Sequence, residues 1–490
     1  MAEAGKPPEH ERLIDLVLAA VTLIIAGLLM FAEVSAVTAP SEIGVAAVRA
    51  IEDEGMTLDA DQGLAASTQV AIGLEGKAGA SPPVVMAKLR DEIRNAFPES
   101  IVARLVWSSM AASFRLDAQA QAELAELAHD KRAEGHRKTI DALADLASGR
   151  AAPSLPELEA TMSKLGISRW LVERLRERQA HNLGDEARRQ ALAARAVELA
   201  DGAMSRRAVS GAVQLGLVGL GLFVVVIFPW FVRPRLAAGG HPGLETPSPF
   251  RLDRTRRVML AWFLAYVLVA ALLPPLFSSF MPIDGTTEAG LQALAILLAL
   301  QGLAHGAAGV GFIRLWGRRP DDHAPLGPQL GLTTRPLPRR FLGLAAWTLP
   351  ALAVVFVLTV AAIILTTFLF GPIRGNQIAL QVIVSDARPE TFVLIAIGAA
   401  LIAPVMEEIL FRGFLFRNLR DTVGRTPALF LSGLVFAVVH REPALLVPLM
   451  AMGVALALLY EWSGSLLVPI AAHAAWNLVQ LVEARLQFQV

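Results

Sequence analysis

Long apolar runs alternate with polar, charged segments along the chain, and this alternation predicts its main elements. A helix needs about 20 apolar residues to cross a bilayer, so the runs predict membrane-spanning helices. The candidate spans are 13–34, 209–232, 258–281, 291–313, 341–370, 391–411, 427–440, 444–460 and 466–482. The last four are short or contain polar residues. We therefore expect an all-α, polytopic membrane protein with eight or nine transmembrane helices.

The N-terminal run, within residues 1–40, has two interpretations. It is either an uncleaved transmembrane helix or a secretory signal peptide, because small residues that suit cleavage follow it at 35–40. The positive segment before the run is weak, with only Lys6 and Arg12. We therefore favour the uncleaved helix.

Residues 41–205 differ from the rest of the chain, since they are rich in alanine and charged residues. Leucines recur at helical spacing, as at Leu143 and Leu146, and prolines interrupt the pattern near 82–83 and 153. This pattern predicts a mostly helical soluble domain inserted between membrane helices. We divide the remainder into transmembrane helices with Arg-rich loops, 206–340, and a C-terminal core, 341–490.

The loops between the predicted spans alternate in positive charge. Six arginines lie between 233 and 257, none lies in 283–290, and six lie between 314 and 340. Because loops rich in Lys and Arg stay in the cytoplasm, the N-terminus is expected to be cytoplasmic and the 41–205 domain extracytoplasmic. Arg206 and Arg207 oppose this orientation. The membrane is expected to be the inner, cytoplasmic membrane of a bacterium.

Composition narrows the possible chemistry. The chain has 44 basic and 44 acidic residues, so no net charge draws it to nucleic acid, and we expect no such partner. It has no cysteine, which excludes disulfides, thiolate nucleophiles and Cys-ligated zinc. The expected partners are the lipid bilayer and a membrane-associated protein or peptide substrate. The sequence leaves the oligomeric state open.

Placing ionisable residues within apolar spans costs free energy, so such residues mark functional sites. Three such groups occur near the C-terminus: Glu407, Glu408 and Arg412; His440; and His473 with Asn477. Glu408 and Arg412 are four residues apart, which favours an ion pair on one helix face, and Glu407 points about 100° away. His305, in the fourth span, is interpreted as a helix-packing hydrogen bonder.

Turn positions predict that these groups meet. A turn is predicted near 421–425, with Thr426 capping the next helix. Glu407 lies 17 residues before Gly424 and His440 lies 16 residues after it, so both side chains are expected at the same depth in the membrane. A second turn on the same side, at 463–465, brings His473 and Asn477 to a similar layer. Four polar side chains from three helices are thus predicted to converge at a site reached from the cytoplasm.

The types of residue suggest hydrolysis of a peptide bond. A carboxylate beside a histidine deprotonates water, and a second histidine with an amide stabilises the resulting oxyanion. Glutamate with two histidines is also a zinc-ligand set, but asparagine is a poor zinc ligand. We therefore favour no cofactor, with zinc as the possible alternative.

The three groups resemble the motifs of the CPBP family of intramembrane proteases, also called the CAAX prenyl protease or Abi family. The family pattern EExxxR, FxxxH and HxxxN matches 407–412, 436–440 and 473–477, in order. The resemblance covers 341–490 and implies that Glu407 and His440 activate water. It also implies that His473 and Asn477 form an oxyanion hole and that Glu408 and Arg412 order the site.

Two other functions remain open. A non-catalytic relative acting as a scaffold, immunity factor or partner-binding protein would keep the fold but lose catalytic groups, and all four are present. A transporter would relay protons through the buried Glu and His, but it predicts repeated halves, which the sequence lacks. Other intramembrane proteases are disfavoured because no HExxH, GxSG or GxGD motif occurs. Phe411, Phe414 and Trp476 are candidates for lining a substrate cleft.

Overall fold

The structure is a computed structural model that describes residues 56, 82–96, 100–164, 167–237, 247–281, 288–319, 323–333, 341–370, 388–442 and 445–488. These residues form helices and turns, and they contain no β-strand beyond an isolated bridge between Phe250 and Arg318. Most of them fall into two compact units, 56–214 and 215–481. The predicted first membrane helix and most of the 283–290 loop lie outside the described residues.

The first unit is a bundle of short helices. They are α1 (Pro82–Ala96), α2 (Ile101–Ser113), α3 (Asp117–His129), α4 (Arg137–Ala147), α5 (Leu155–Lys164) and α6 (Arg169–Asn182), followed by the first part of the 52-residue α7 (Glu186–Ala237), since this unit ends at residue 214. Its core contains fully buried Trp107 and Trp170, and Trp107 Nε1 donates to the Met86 carbonyl at 2.9 Å. The leucine spacing that predicted helices here therefore corresponds to side chains packed in a core.

A buried carboxylate ties α1, α2 and α3 together. The Glu123 side chain accepts hydrogen bonds from Arg90, Arg94 and Arg104, at 2.5–2.9 Å. Burial alone raises the pKa of Glu123, but the three guanidinium groups more than offset this and hold the pKa below its ordinary value. The network has a structural role, because each charged group in it is paired with an oppositely charged neighbour.

The second unit consists of longer, apolar helices. They are α8 (Thr255–Ser278), α9 (Glu288–Phe312), α10 (Phe341–Phe370), α11 (Pro389–Val423, which includes two π-helical segments), α12 (Arg425–Val439), α13 (Leu446–Ser463) and α14 (Leu467–Phe488). Five stretches of the described residues are long and apolar enough to cross a membrane. Large apolar side chains such as Leu272 and Phe368 remain exposed on their outer faces, as surfaces in contact with lipid require.

An all-α polytopic membrane protein is therefore confirmed. The second predicted span, 209–232, lies inside α7, which already begins in the polar segment at Glu186. The seventh predicted span corresponds to α12, which has only 15 residues. The division of the chain into four domains stays a prediction.

Helix α11 changes its hydrogen-bonding register twice, at Ile397–Ile402 and Ile409–Phe416, where it is π-helical. Pro404 lies just after the first segment, and a proline inside a helix removes one backbone donor and crowds the preceding turn. Such π-helical turns are frequent at functional sites. Glu407 lies on the α-helical stretch between the two segments.

Glycines make the two turns that orient the C-terminal helices. Gly424, with φ of 88°, separates α11 from α12, and Gly464, with φ of 66°, separates α13 from α14. Both positions agree with the predicted turns. The predicted Thr426 cap is wrong, because α12 begins at Arg425 directly after Gly424 and no side chain caps it.

Helices α12 and α13 approach each other very closely at a glycine pair. A Cβ atom on Gly453 would lie 2.7 Å from the Gly433 Cα, and one on Gly433 would lie 2.9 Å from the Met450 carbonyl oxygen. Neither position accommodates a side chain, so the glycines set the distance between the helices. This close packing positions Phe436 and His440, one and two turns further along α12.

Candidate active site

Glu408 and Arg412 form the buried base of the site. The Arg412 guanidinium donates to Glu408 Oε1 at 2.7 Å, and both side chains are at most 1 % exposed. Arg412 also donates to the Gly453 carbonyl at 3.3 Å and lies over the Phe436 ring at 4.3 Å. The predicted i,i+4 ion pair is therefore present, and it connects α11 to α12 and α13.

His473 completes this base from α14. Its Nδ1 lies 2.9 Å from Glu408 Oε1, the same oxygen that accepts from Arg412. An ionised carboxylate only accepts hydrogen bonds, so His473 Nδ1 is assigned the proton. Nε2, on the far side of the ring, then points to Glu407, whose Oε2 is 3.9 Å away.

His440 approaches Glu407 from the end of α12. Its Nδ1 is 2.7 Å from the Phe436 carbonyl oxygen, so this nitrogen also carries a proton. Its Nε2 lies 3.9 Å from Glu407 Oε2. The Phe436 ring contacts both histidine rings, with centroids 4.6 Å from His440 and 5.8 Å from His473.

Glu407 thus lies between two imidazole rings. Its Oε2 is buried and has no hydrogen-bond partner among the described residues. Both Nε2 atoms are 3.9 Å away, beyond direct hydrogen-bonding distance but within reach of one shared water molecule. The structure therefore brings Glu407, His440 and His473 together as the sequence predicted.

Asn477 has a different neighbour. Its Nδ2 donates to the Ala399 carbonyl at 2.7 Å, one turn beyond His473 along α14. In a π-helix each N–H bonds the carbonyl five residues earlier, as the Ala403 N–H bonds the Gly398 carbonyl here. The Ala399 carbonyl would therefore accept from the N–H of residue 404. Residue 404 is proline and has no N–H. Asn477 therefore satisfies a carbonyl that Pro404 leaves without its helical partner.

A cavity of about 180 Å³ opens beside Glu407 and His440. Its other walls come from α8 and α9, including Trp262, Tyr266 and His305. Of the three aromatics considered for a cleft, only Phe411 lines this cavity. Phe414 packs on Phe250 and Trp476 on Phe356, both with ring centroids 5.3 Å apart.

The sequence did not identify the α8 wall of this cavity. Tyr266 stacks near His305, with ring centroids 4.3 Å apart, and its hydroxyl donates to the Val439 carbonyl at 3.1 Å. His305 was interpreted as a packing residue, yet its Nε2 is buried with no hydrogen-bond partner among the described residues. The one sequence signal for this wall was that Tyr266 and His305, both polar and aromatic, lie in adjacent apolar spans.

The donor types at the site also bear on metal binding. Among the residues that the structure describes, no group of three or more His, Asp or Glu side chains is placed so that it could hold a metal ion. The preference for a reaction without a cofactor stays a prediction.

Comparison with known proteins shows what this part of the chain is similar to. Residues 389–479 match the type II CAAX prenyl endopeptidases, described as Rce1-like. This match contains all six site residues and confirms the resemblance for the C-terminal part of the chain. It covers α11 to α14 and leaves out α8 and α9.

Two curated relatives carry related names. YdiL of Bacillus subtilis, named as a candidate membrane peptidase, is 33 % identical over 84 residues, which are 17 % of this chain and 34 % of YdiL. The membrane-embedded CAAX protease MroQ of Staphylococcus aureus is 26 % identical over 137 residues, which are 27 % of this chain and 54 % of MroQ. The chain thus spans about a third and about half of the length of these relatives. No solved structure matches the chain.

Proposed function

We propose that this integral membrane protein, whose residues 389–479 match the Rce1-like CAAX prenyl endopeptidases, is an intramembrane endopeptidase that uses Glu407 to activate water. The observation that carries the proposal is the position of the buried Glu407 Oε2, 3.9 Å from the Nε2 atoms of both His440 and His473. A carboxylate in this position is a general base for a water molecule held between it and an imidazole.

The nucleophile is a water molecule shared by Glu407 and His440. With Nδ1 protonated, neutral His440 presents a lone pair at Nε2, so it accepts one hydrogen bond from the water while Glu407 takes the other proton. The water oxygen then attacks the carbonyl carbon of the substrate. Glu407 later passes its proton to the leaving amine, which restores the carboxylate and completes hydrolysis.

The oxyanion is stabilised by His473 and Asn477. Glu408 holds His473 through Nδ1, so the Nε2 atom faces Glu407 and is placed to donate to the oxyanion when it carries a proton. The Asn477 amide has two N–H groups, and one of them remains after the bond to Ala399. Two fixed donors in a low-dielectric site are the arrangement that oxyanion stabilisation needs.

Zinc is the alternative that the donor types allow. Zinc held by Glu407, His440 and His473 would supply a Lewis acid and lower the pKa of a bound water. We favour the reaction without a metal because asparagine is a poor zinc ligand, whereas its amide suits an oxyanion hole.

We also propose that substrates reach the site from the cytoplasm, with the N-terminus on that side. The C-terminal end of α11 supports this orientation, because Asn418 donates to Thr255 Oγ1 at 2.8 Å and also bonds Ser248. These contacts hold the end of α11 beside the Arg-rich segment 247–257. Arg-rich segments stay cytoplasmic.

The test compares cells that carry the native chain with cells that carry Glu407→Gln, using mass spectrometry of membrane-protein termini. Glu390→Gln is the matched control, since Glu390 is an exposed residue at the start of the same helix. We expect termini that occur with the native chain and the control but not with Glu407→Gln. Identical termini in all three strains, at equal expression, would favour the non-catalytic scaffold.

A further inference from the structure

The cavity beside Glu407 has the composition of a binding pocket for one side chain. Besides Glu407 and His440, its walls include the aromatic rings of Trp262 and Tyr266, the imidazole of His305 and the thioether of Met406. Ligand pockets combine such apolar walls with few polar groups. We propose, on the basis of the proposed function, that this cavity selects an aromatic side chain of the substrate next to the scissile bond, with tyrosine preferred.

Two glycines on α9 create the space. A Cβ atom on Gly306 would lie 2.2 Å from Met406 Cγ, so glycine is required there for α9 and α11 to pack. A Cβ atom on Gly302 would make only an ordinary contact, 3.5 Å from Ile402 Cγ2. Gly302 lines the cavity, so side chains introduced at this position reduce its volume without forcing the helices apart.

The volume sets the size of the occupant. A cavity of about 150 Å³ in the interior of a protein binds one benzene ring. The 180 Å³ cavity therefore accommodates a single aromatic side chain and is too small for a long lipid chain. Because Glu407 and His440 form part of its wall, the residue that occupies it is adjacent to the bond that is cut.

His305 supplies the preference for tyrosine. Its backbone is held by Trp262, whose Nε1 donates to the His305 carbonyl at 3.1 Å, and its ring lies against Tyr266. Its buried Nε2 has no hydrogen-bond partner among the described residues. A buried polar atom without a partner is costly, and a tyrosine hydroxyl satisfies it as either donor or acceptor. Phenylalanine fills the same volume but leaves Nε2 unsatisfied.

The experiment measures binding, so that it does not depend on cleavage. The probes are N-acetyl-tyrosine amide, N-acetyl-phenylalanine amide and N-acetyl-glycine amide, and the receptor is the full chain in detergent, observed by saturation-transfer NMR. We expect the tyrosine probe to bind about five-fold more tightly than the phenylalanine probe, the gain expected from one net hydrogen bond. The glycine probe should bind weakest.

Three variants separate the contributions. Gly302→Val should abolish the aromatic preference, whereas Gly311→Val, on the same helix with open space around it, should leave the preference unchanged. His305→Phe keeps a ring but removes Nε2, so it should equalise the tyrosine and phenylalanine probes. Equal binding of all three probes to the native chain would overturn the proposal, as would a tyrosine preference that survives His305→Phe. Aromatic binding without any cleaved termini would refute the proposed enzyme but not the pocket.

Discussion

The contact between Asn477 and Ala399 leads to a sharp prediction, because Pro404 explains why it exists. Asn477→Ala removes the donor, and the part-buried Ala399 carbonyl then has no partner in the apolar membrane unit. Leaving a fully buried acceptor unsatisfied costs about 1–3 kcal/mol, so a part-buried acceptor belongs at the lower end of this range. We expect the free energy of unfolding to fall by about 1 kcal/mol.

Pro404→Ala supplies the missing donor, since the new N–H is next in the π register after that of Ala403. Asn477→Ala should therefore cost much less in a Pro404→Ala background than in the native chain. The double-mutant cycle should give a coupling of about 1 kcal/mol, well above the roughly 0.3–0.5 kcal/mol scatter of independent sites.

The assay is SDS-induced unfolding of the full chain in detergent, with Leu478→Ala as control, because Leu478 is an exposed neighbour on the same helix. Additive effects of the two substitutions on the free energy of unfolding would refute the reasoning.

Cleavage measured on the same variants separates two roles of Asn477. Loss of an oxyanion donor costs about 10²–10³ in rate and would persist in the double variant, whereas a purely positioning role would be rescued with stability.

Three further predictions test other parts of the molecule. Glu408→Gln leaves the buried Arg412 without its ionised partner and should destabilise the fold by about 3–5 kcal/mol, measured by the same unfolding assay; a near-neutral effect would contradict the role of the pair. Chelators should leave cleavage unchanged, measured by the termini profile, and complete inhibition that zinc reverses would establish the metal mechanism. The pKa of Glu123 is lowered in the fold, so its ionised form adds stability above its unfolded pKa, and this stability is lost as pH falls through the folded value. Thermal unfolding of the native chain and Glu123→Gln should therefore differ at pH 7 and converge in acid, and a constant difference would exclude the linkage.

The sequence by itself determined the features that depend on local spacing. Apolar runs longer than a bilayer's width indicated membrane helices, and the four-residue interval between Glu408 and Arg412 predicted their ion pair, which the structure has at 2.7 Å. Glycines marked both turns, at 424 and 464, and the equal distances from the first turn placed Glu407 and His440 at one depth. Helical periodicity is a property of neighbouring residues, so these features need no knowledge of packing.

The tertiary structure decided the contacts between distant segments. Glu408 and His473 are 65 residues apart, and their hydrogen bond orients the imidazole toward Glu407. Asn477 reaches the Ala399 carbonyl only because α14 packs beside the π-helical segment of α11, where Pro404 lacks the N–H that this carbonyl would otherwise accept from. The cavity depends in the same way on how closely α9 approaches α11 at Gly306. Such contacts depend on the rotation and separation of packed helices, which the spacing of residues along one helix does not contain.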